Sequence, residues 1–366
     1  MTWQAGAWHH HGGPDALGAP VHDFSTNSNA CGPCPEAQHA VQQADATRYP
    51  DPQYTALREA LAAFHGVAPW RIVPAASSSE FIHRITALAA RQGAVQAQVP
   101  LHSYGDYAQA AQARGLGVVR RADGAGMAAG LPDLADLEWA CEPSSPLGRA
   151  DPVLALWAAV PQGGDGAPLR VLDCAYAPLR LDDADGAVPW LGRPALPDMP
   201  SCWQLWTPNK ALGLTGVRAA YAVAPGGAQE AVRALQALAP SWAVGAHGVA
   251  LLQAWVQPGV QRWLVHSLDS LRGWKQRQTA LCLELGWTVH AGSLANYFCA
   301  QPACPGLPKN LAVLRASGIK LRDAASFGLP GSVRLGVLAP RAQDALRTAW
   351  LATLRSGAQP KESDSP

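Results

Sequence analysis

Charge is scarce in this chain. Asp, Glu, Lys and Arg supply 15% of its 366 residues and leave a formal net charge of +1. That near balance offers no basic surface for nucleic acid and no polybasic patch for a membrane. No apolar run reaches the ~18 residues of a membrane-spanning helix. The opening segment, from Met1 to His10, lacks the hydrophobic region of a secretory signal. A cytoplasmic location is the default expectation. A second CxxC is also missing: Cys31-Gly-Pro-Cys34 is the one such pair among eight cysteines, which argues against a structural zinc site. The pair follows a polar, turn-forming segment, Asp23 to Ala30, where thioredoxin-type redox chemistry needs a strand. The run His9 to His11 does not converge on one ion, so no metal is expected; it reads as an arm able to reach a site.

What is present is a globular composition. Hydrophobic residues reach 48%, enough for a sizeable core and two lobes in a chain of this length. The 35 glycines and 31 prolines are scattered, as in a loop-rich α/β protein; the tail from Ser356 reads as disordered. Helical signals cover Pro35 to Ala46 and Tyr54 to His65, the second with Leu57, Leu61 and Phe64 on one face and Gly66 as its stop. Ile72-Val73 predicts a strand, and Ser77-Ser-Ser79-Glu80 opens a helix. Strands are expected at Val95 to Val99, Leu116 to Val119, Val153 to Ala159, Arg170 to Asp173, Trp203 to Trp206 and Ala219 to Val223. Helices are expected at Ala108 to Arg114, Leu131 to Ala140, Ala228 to Leu238 and Val249 to Leu285, the last broken near Pro258. This alternation signals a parallel sheet. Trp287 to Val289, Tyr297 to Cys299, Leu321 to Asp323, Val333 to Val337 and a helix from Ala342 to Leu354 build a smaller α+β lobe.

Chemistry concentrates in Trp206-Thr-Pro-Asn-Lys210-Ala-Leu-Gly-Leu-Thr-Gly-Val-Arg218. A lysine taken out of solvent becomes a nucleophile towards an aldehyde, and an arginine nearby suits a phosphate; a surface Lys and Arg on a loop would read the same. Small hydroxyl residues at a helix N-terminus, Ser78 and Ser79, form a seat for an anion or merely cap the helix. Asp173 ends a strand, at the edge where such sheets hold ligands, and Tyr176 follows.

In this order the anchors resemble the fold-type I pyridoxal-phosphate enzymes of the class I/II aminotransferase branch. The opening His11-Gly-Gly13, then Asp23-Phe-Ser-Thr-Asn27, then Tyr49-Pro-Asp-Pro with Leu57-Arg58 most resembles the threonine-phosphate decarboxylases of cobalamin biosynthesis. The resemblance implies an arm (1–45), a large cofactor domain with a mainly parallel seven-stranded sheet (46–245), a smaller α+β domain (246–355) and a tail (356–366). It implies pyridoxal 5′-phosphate held through Lys210, Asp173 against the ring nitrogen, Tyr176 on the 3′-oxygen, and Tyr104 stacked on the ring. Ser78, Ser79, Thr207 and Arg218 would hold the cofactor phosphate. Tyr49 would complete the neighbouring site of a homodimer. Asn29 and Arg334 would meet the substrate, Arg334 at its α-carboxylate, and Arg322 with His11 would take the substrate phosphate. Histidinol-phosphate-type transamination is the rival activity, and a catalytically weak cofactor-binding relative a further alternative. The chain departs from the family at Ala75-Ala76, and where the family's Asn-Pro-X-Gly turn is aligned with Val160 to Gly166, Gly163 takes the place of the asparagine.

Overall fold

The computed structural model describes residues 12–122, 135–159, 167–181 and 201–357. His11, the turn 160–166 and the tail beyond 357 therefore lie outside the described residues. Among those described, seven strands form one sheet in the order β2 (Ile72–Ala75), β8 (Ala220–Val223), β7 (Trp203–Trp206), β6 (Leu169–Asp173), β5 (Leu137–Cys141), β3 (Gln96–Pro100) and β4 (Gly117–Arg121). Pairing is parallel from β7 across to β4 and antiparallel on both sides of β8. This is the fold-type I architecture, a mainly parallel sheet between helical layers.

Apart from the edge strand β4, where only Arg121 is buried, these strands bury almost every residue, as strands covered on both faces must. On one face α3 (Ser78–Arg91) and α4 (Gly105–Ala113) pack beside α6 (Gln229–Leu238), burying Phe81, Ile82, Ile85 and Leu235 against Val99, Trp139 and Val171. On the other, α2 (Thr55–His65), α5 (Val153–Ala159), α7 (Ala246–Trp255) and the start of α8 (Pro258–Glu284) cover Leu172, Trp206 and Tyr221. The short α1 (Pro35–Gln42) lies on α7.

Local chemistry sets the helix that faces the site. Ser77 Oγ accepts from Glu80 N at 3.1 Å while Glu80 Oε2 accepts from Ala76 N at 3.2 Å, a reciprocal cap of the α3 N-terminus. Glu80 also pairs with the buried Arg84 one turn on, at 2.9 Å.

A second sheet runs β12 (Arg322–Asp323), β13 (Val333–Gly336), β10 (Tyr297–Gln301), β9 (Thr288–Val289), all antiparallel. α8, α9 (Leu307–Ala316) and α10 (Pro340–Gly357) enclose its core of Phe298, Leu335, Leu346 and Trp350. The N-terminal segment joins this unit, since β1 (His22–Asp23) pairs in parallel with β11 (Ile319–Lys320). Arg315 and Lys320 both bind Asp15 there, at 2.7 and 2.9 Å.

Two sequence expectations are reversed. Residues 137–140, within the stretch expected to be helical, belong to the central strand β5 (Leu137–Cys141), and 153–159, expected to be a strand, are the helix α5. Both are short apolar runs, which periodicity cannot assign to helix or strand. Burial on both faces decides for β5, whereas α5 keeps an exposed side at Ala155 and Ala158. The helix α9 carries no expectation from the sequence.

Candidate active site

The carboxyl ends of β5, β6 and β7 open into one cavity of about 350 Å³. The strand β7 delivers its chain into the loop that carries Lys210. That loop is tied down: Asn209 Nδ2 donates to Thr215 O and Val217 O at 3.4 and 3.2 Å, and Lys210 O accepts from Asn29 N at 2.9 Å. Lys210 Nζ lies 3.4 Å from Thr207 Oγ1 and 5.3 Å from the centre of the Tyr176 ring.

Across the cavity Asp173 is buried at the end of β6. Its Oδ2 accepts from the Tyr107 hydroxyl at 2.7 Å and its Oδ1 from Ala175 N at 2.8 Å. Burial pushes the carboxyl above its ordinary pKa, while Tyr107, the backbone N–H and the charge of Lys210 pull it back. Tyr176 accepts at its hydroxyl from Asn27 Nδ2 at 3.3 Å, so its own proton is available to an acceptor in the cavity. Ser78, Ser79, Tyr104 and Arg218 line the same space, and Tyr104 Oη meets Ser79 Oγ at 3.1 Å.

The far wall comes from the second sheet. Arg322 of β12 and Arg334 of β13 are register partners, so they project from the same face. Their guanidinium carbons lie 5.0 and 5.2 Å from the centre of the Phe327 ring. Burial and the charge of Arg334 pull Arg322 down to about 10. Arg334 donates to Ser145 Oγ at 3.2 Å and Ser25 O at 3.3 Å; its Nε has no partner among the described residues.

The structure therefore brings together Lys210, Asp173, Tyr176, Ser78, Ser79, Tyr104, Arg218, Arg322 and Arg334, with Thr207 touching Lys210. It does not bring Asn29 or Tyr49. Asn29 is buried away from the cavity, with both polar atoms used on Ala211 O, Ser267 Oγ and Cys31 N; Asn27 lines the cavity in its stead. Tyr49 is 78% exposed and stacks on Trp242 with ring centres 4.4 Å apart. Cys34 stands at the N-cap of α1, yet burial raises its thiol and that of Cys31, the opposite of a redox-active pair.

Three site residues escaped the sequence reading. Tyr107 lies one helical turn after Tyr104, a signal in itself. Asn27 ends the very segment that carried the resemblance. Ser145 begins Ser145-Pro146-Leu147-Gly148, a Pro-X-Gly turn leaving β5, whose Cys141 is the register partner of Asp173. Gly148 is required there: φ is +71°, and a Cβ would come within 2.5 Å of Ser293 Oγ. The described turn beside Asp173 thus presents a serine, while the turn containing Gly163 lies outside the described residues.

A ring-bearing aldehyde phosphate fits this set. One amine faces one buried acid, a tyrosine ring flanks them, and hydroxyls at a helix N-terminus stand with Arg218 for the phosphate. Asn27 Oδ1, Asn209 Oδ1 and Arg334 Nε are buried in residues lining the cavity and lack partners among the described residues; such atoms mark a site built for an occupant. The family described as aminotransferase class I and II matches residues 19–350. A histidinol-phosphate aminotransferase of Ruegeria pomeroyi is 27% identical over 330 residues, 87% of each chain. Two solved structures share the fold. A histidinol-phosphate aminotransferase of Sinorhizobium meliloti in complex with pyridoxal-5′-phosphate has TM-score 0.74 at 22% identity, covering 93% of this chain and 92% of its own. The L-threonine-O-3-phosphate decarboxylase of Porphyromonas gingivalis has TM-score 0.73 at 20% identity, covering 92% and 100%.

Proposed function

We propose, on the premise that the chain belongs to the aminotransferase class I and II family and takes pyridoxal 5′-phosphate as its cofactor, that it decarboxylates L-threonine O-3-phosphate. The product is 1-aminopropan-2-yl phosphate, a unit for corrinoid biosynthesis. One observation carries this reading: Arg322 and Arg334 stand side by side on the wall facing Lys210. Two buried guanidiniums repel each other, and a substrate bearing two anionic groups offsets that repulsion better than one bearing a single charge. Threonine phosphate carries both groups on a small skeleton.

When bound, the cofactor supplies a conjugated ring that accepts the electrons of one bond broken at the substrate α-carbon. The chain decides which bond. Arg334 offers the forked geometry that suits a carboxylate, and Arg322 is left for the phosphate. Holding both anionic groups fixes rotation about the amine-bearing carbon, which is positioning catalysis. With the carboxylate lost as carbon dioxide, Lys210 Nζ would return a proton to that carbon. Asp173, whose charge Tyr107 and the backbone favour against the effect of burial, would support positive charge opposite the lysine.

Histidinol-phosphate transamination is the second reading, supported by the histidinol-phosphate aminotransferases among the relatives. The purified protein loaded with cofactor is expected to release carbon dioxide and the amino alcohol phosphate from L-threonine O-3-phosphate. Glutamate formed from 2-oxoglutarate and histidinol phosphate, with no carbon dioxide from the first substrate, would replace this reading by the second. A homodimer belongs to the same proposal, with exposed Tyr49 reaching its partner's site, as does a cytoplasmic location; among the described residues no helix is long and apolar enough to cross a membrane.

A further inference from the structure

Between β3 and α4 a short loop, residues 101–104, touches both halves of the cavity. At one end Tyr104 lines the seat beside Ser79. Two residues earlier, His102 Nδ1 lies 2.8 Å from the carbonyl oxygen of Phe327, which belongs to the second sheet's unit. A carbonyl only accepts, so Nδ1 carries the proton. Phe327 closes the turn Ala325–Phe327, and this turn organises the arginine pair. Ser326 Oγ accepts from Arg322 Nη2 at 2.8 Å, and the Phe327 ring lies about equally close to both guanidiniums. The negative face of an aromatic ring favours cations near it, which lets two like charges share one wall.

The next residue makes the approach of His102 possible. Gly328 has φ +81°, and a Cβ built there would stand 3.2 Å from His102 Nδ1 and 3.5 Å from Cε1. The turn therefore ends on the residue that leaves the imidazole room to reach the carbonyl.

We propose that His102 is a positioning residue: by donating to Phe327 O it fixes the Ser326–Phe327 turn and so holds Arg322 and Arg334 as a single receptor for a substrate with two anionic groups. The inference rests on the proposed function in that one respect. It adds that the loop carrying Tyr104 sets the geometry of the substrate wall, coupling the two halves of the cavity through one hydrogen bond.

The test uses the full chain loaded with cofactor and measures dissociation constants for L-threonine O-3-phosphate and for L-glutamate, each an amino acid with two anionic groups, by calorimetry. His102→Phe keeps the ring's bulk and removes the donor; His102→Asn keeps an N–H at the same bond distance from the backbone. Loss of one hydrogen bond that orders the receptor is expected to weaken binding of both probes about tenfold in His102→Phe and under about twofold in His102→Asn. Cofactor absorbance and melting temperature should match the wild type in both variants. Wild-type affinity in His102→Phe, or equal losses in the two variants, overturns the proposal. Binding of neither probe by the wild type overturns the receptor itself, whereas binding without turnover of threonine phosphate overturns the proposed function alone.

Discussion

Tyr107 donates its hydroxyl to Asp173 at 2.7 Å while its ring lies stacked on Trp139, with centres 4.5 Å apart. The stacking and the hydrogen bond are separable. Tyr107→Phe keeps the first and removes the second. Burial already pushes the Asp173 carboxyl upward and the Tyr107 hydrogen bond opposes it, so the variant raises that pKa further. A hydrogen bond donated to a carboxylate favours its charged form. The acid limb of the activity profile, and of the cofactor's absorbance, should therefore move to higher pH. An unmoved limb would show that Asp173 does not depend on Tyr107 for its charge.

His65 gives a stability test away from the chemistry. Its Nε2 lies 2.8 Å from the Tyr221 hydroxyl, with Trp206 and Phe64 around the ring. Burial, and then the charge of Arg71, pull its pKa down to about 4. The folded state thus refuses a proton that the unfolded chain accepts near pH 6.5. Stability from this residue is complete above that pH and falls as the solution is acidified towards about 4, by up to about 1.4 kcal/mol per pH unit. Below the folded value the dependence ends. His65→Gln should flatten the wild-type slope in denaturant titrations between pH 6.5 and about 4; an unchanged slope would place the ring in contact with solvent.

The same site shows where a sequence stops being readable. Lys210, Asp173 and Tyr176 were legible because Asp173 ends β6 and the other two lie in the segments that follow β7 and β6, and strand ends are where such a fold puts ligands. Arg334 was legible only through the family resemblance. Ser145 was not, because Leu137–Cys141 and Val153–Ala159 exchange strand for helix and the frame of turns shifts with them. The pairing of Arg322 with Arg334 was hidden too, since it depends on register across β12 and β13, and register is written in burial rather than in local sequence. Asn27 and Asn29 lie two apart in one extended segment, and only packing tells which of them turns to the cavity.

That distinction is testable with two substitutions. Asn29→Ala strands the Ala211 carbonyl in a buried position and Cys31 N in a half-buried one, at a cost of about 1–3 kcal/mol. Its denaturation midpoint should fall while the Michaelis constant stays near the wild type. Asn27→Ala should do the reverse, leaving the midpoint close to wild type and lowering turnover, because Tyr176 loses its 3.3 Å donor. A raised Michaelis constant in Asn29→Ala without loss of stability would return that residue to the substrate site.

Arg334 offers the most direct reading of the substrate wall. One nitrogen is committed to Ser145 Oγ and another to Ser25 O, at 3.2 and 3.3 Å, while Nε is buried and without a partner among the described residues. A lysine at this position keeps the charge but presents a single ammonium, which cannot hold both anchors and also offer a planar fork to a carboxylate. Arg334→Lys is therefore expected to raise the Michaelis constant about 30- to 100-fold, in keeping with the loss of a charge-assisted hydrogen bond. Turnover at saturation should change less, because Lys210 and Asp173 belong to the first sheet and its loops rather than to β13. Steady-state kinetics on L-threonine O-3-phosphate separate the two quantities. If instead turnover falls and the Michaelis constant holds, the carboxylate does not rest on Arg334 in the ground state, and Arg322 becomes its ligand.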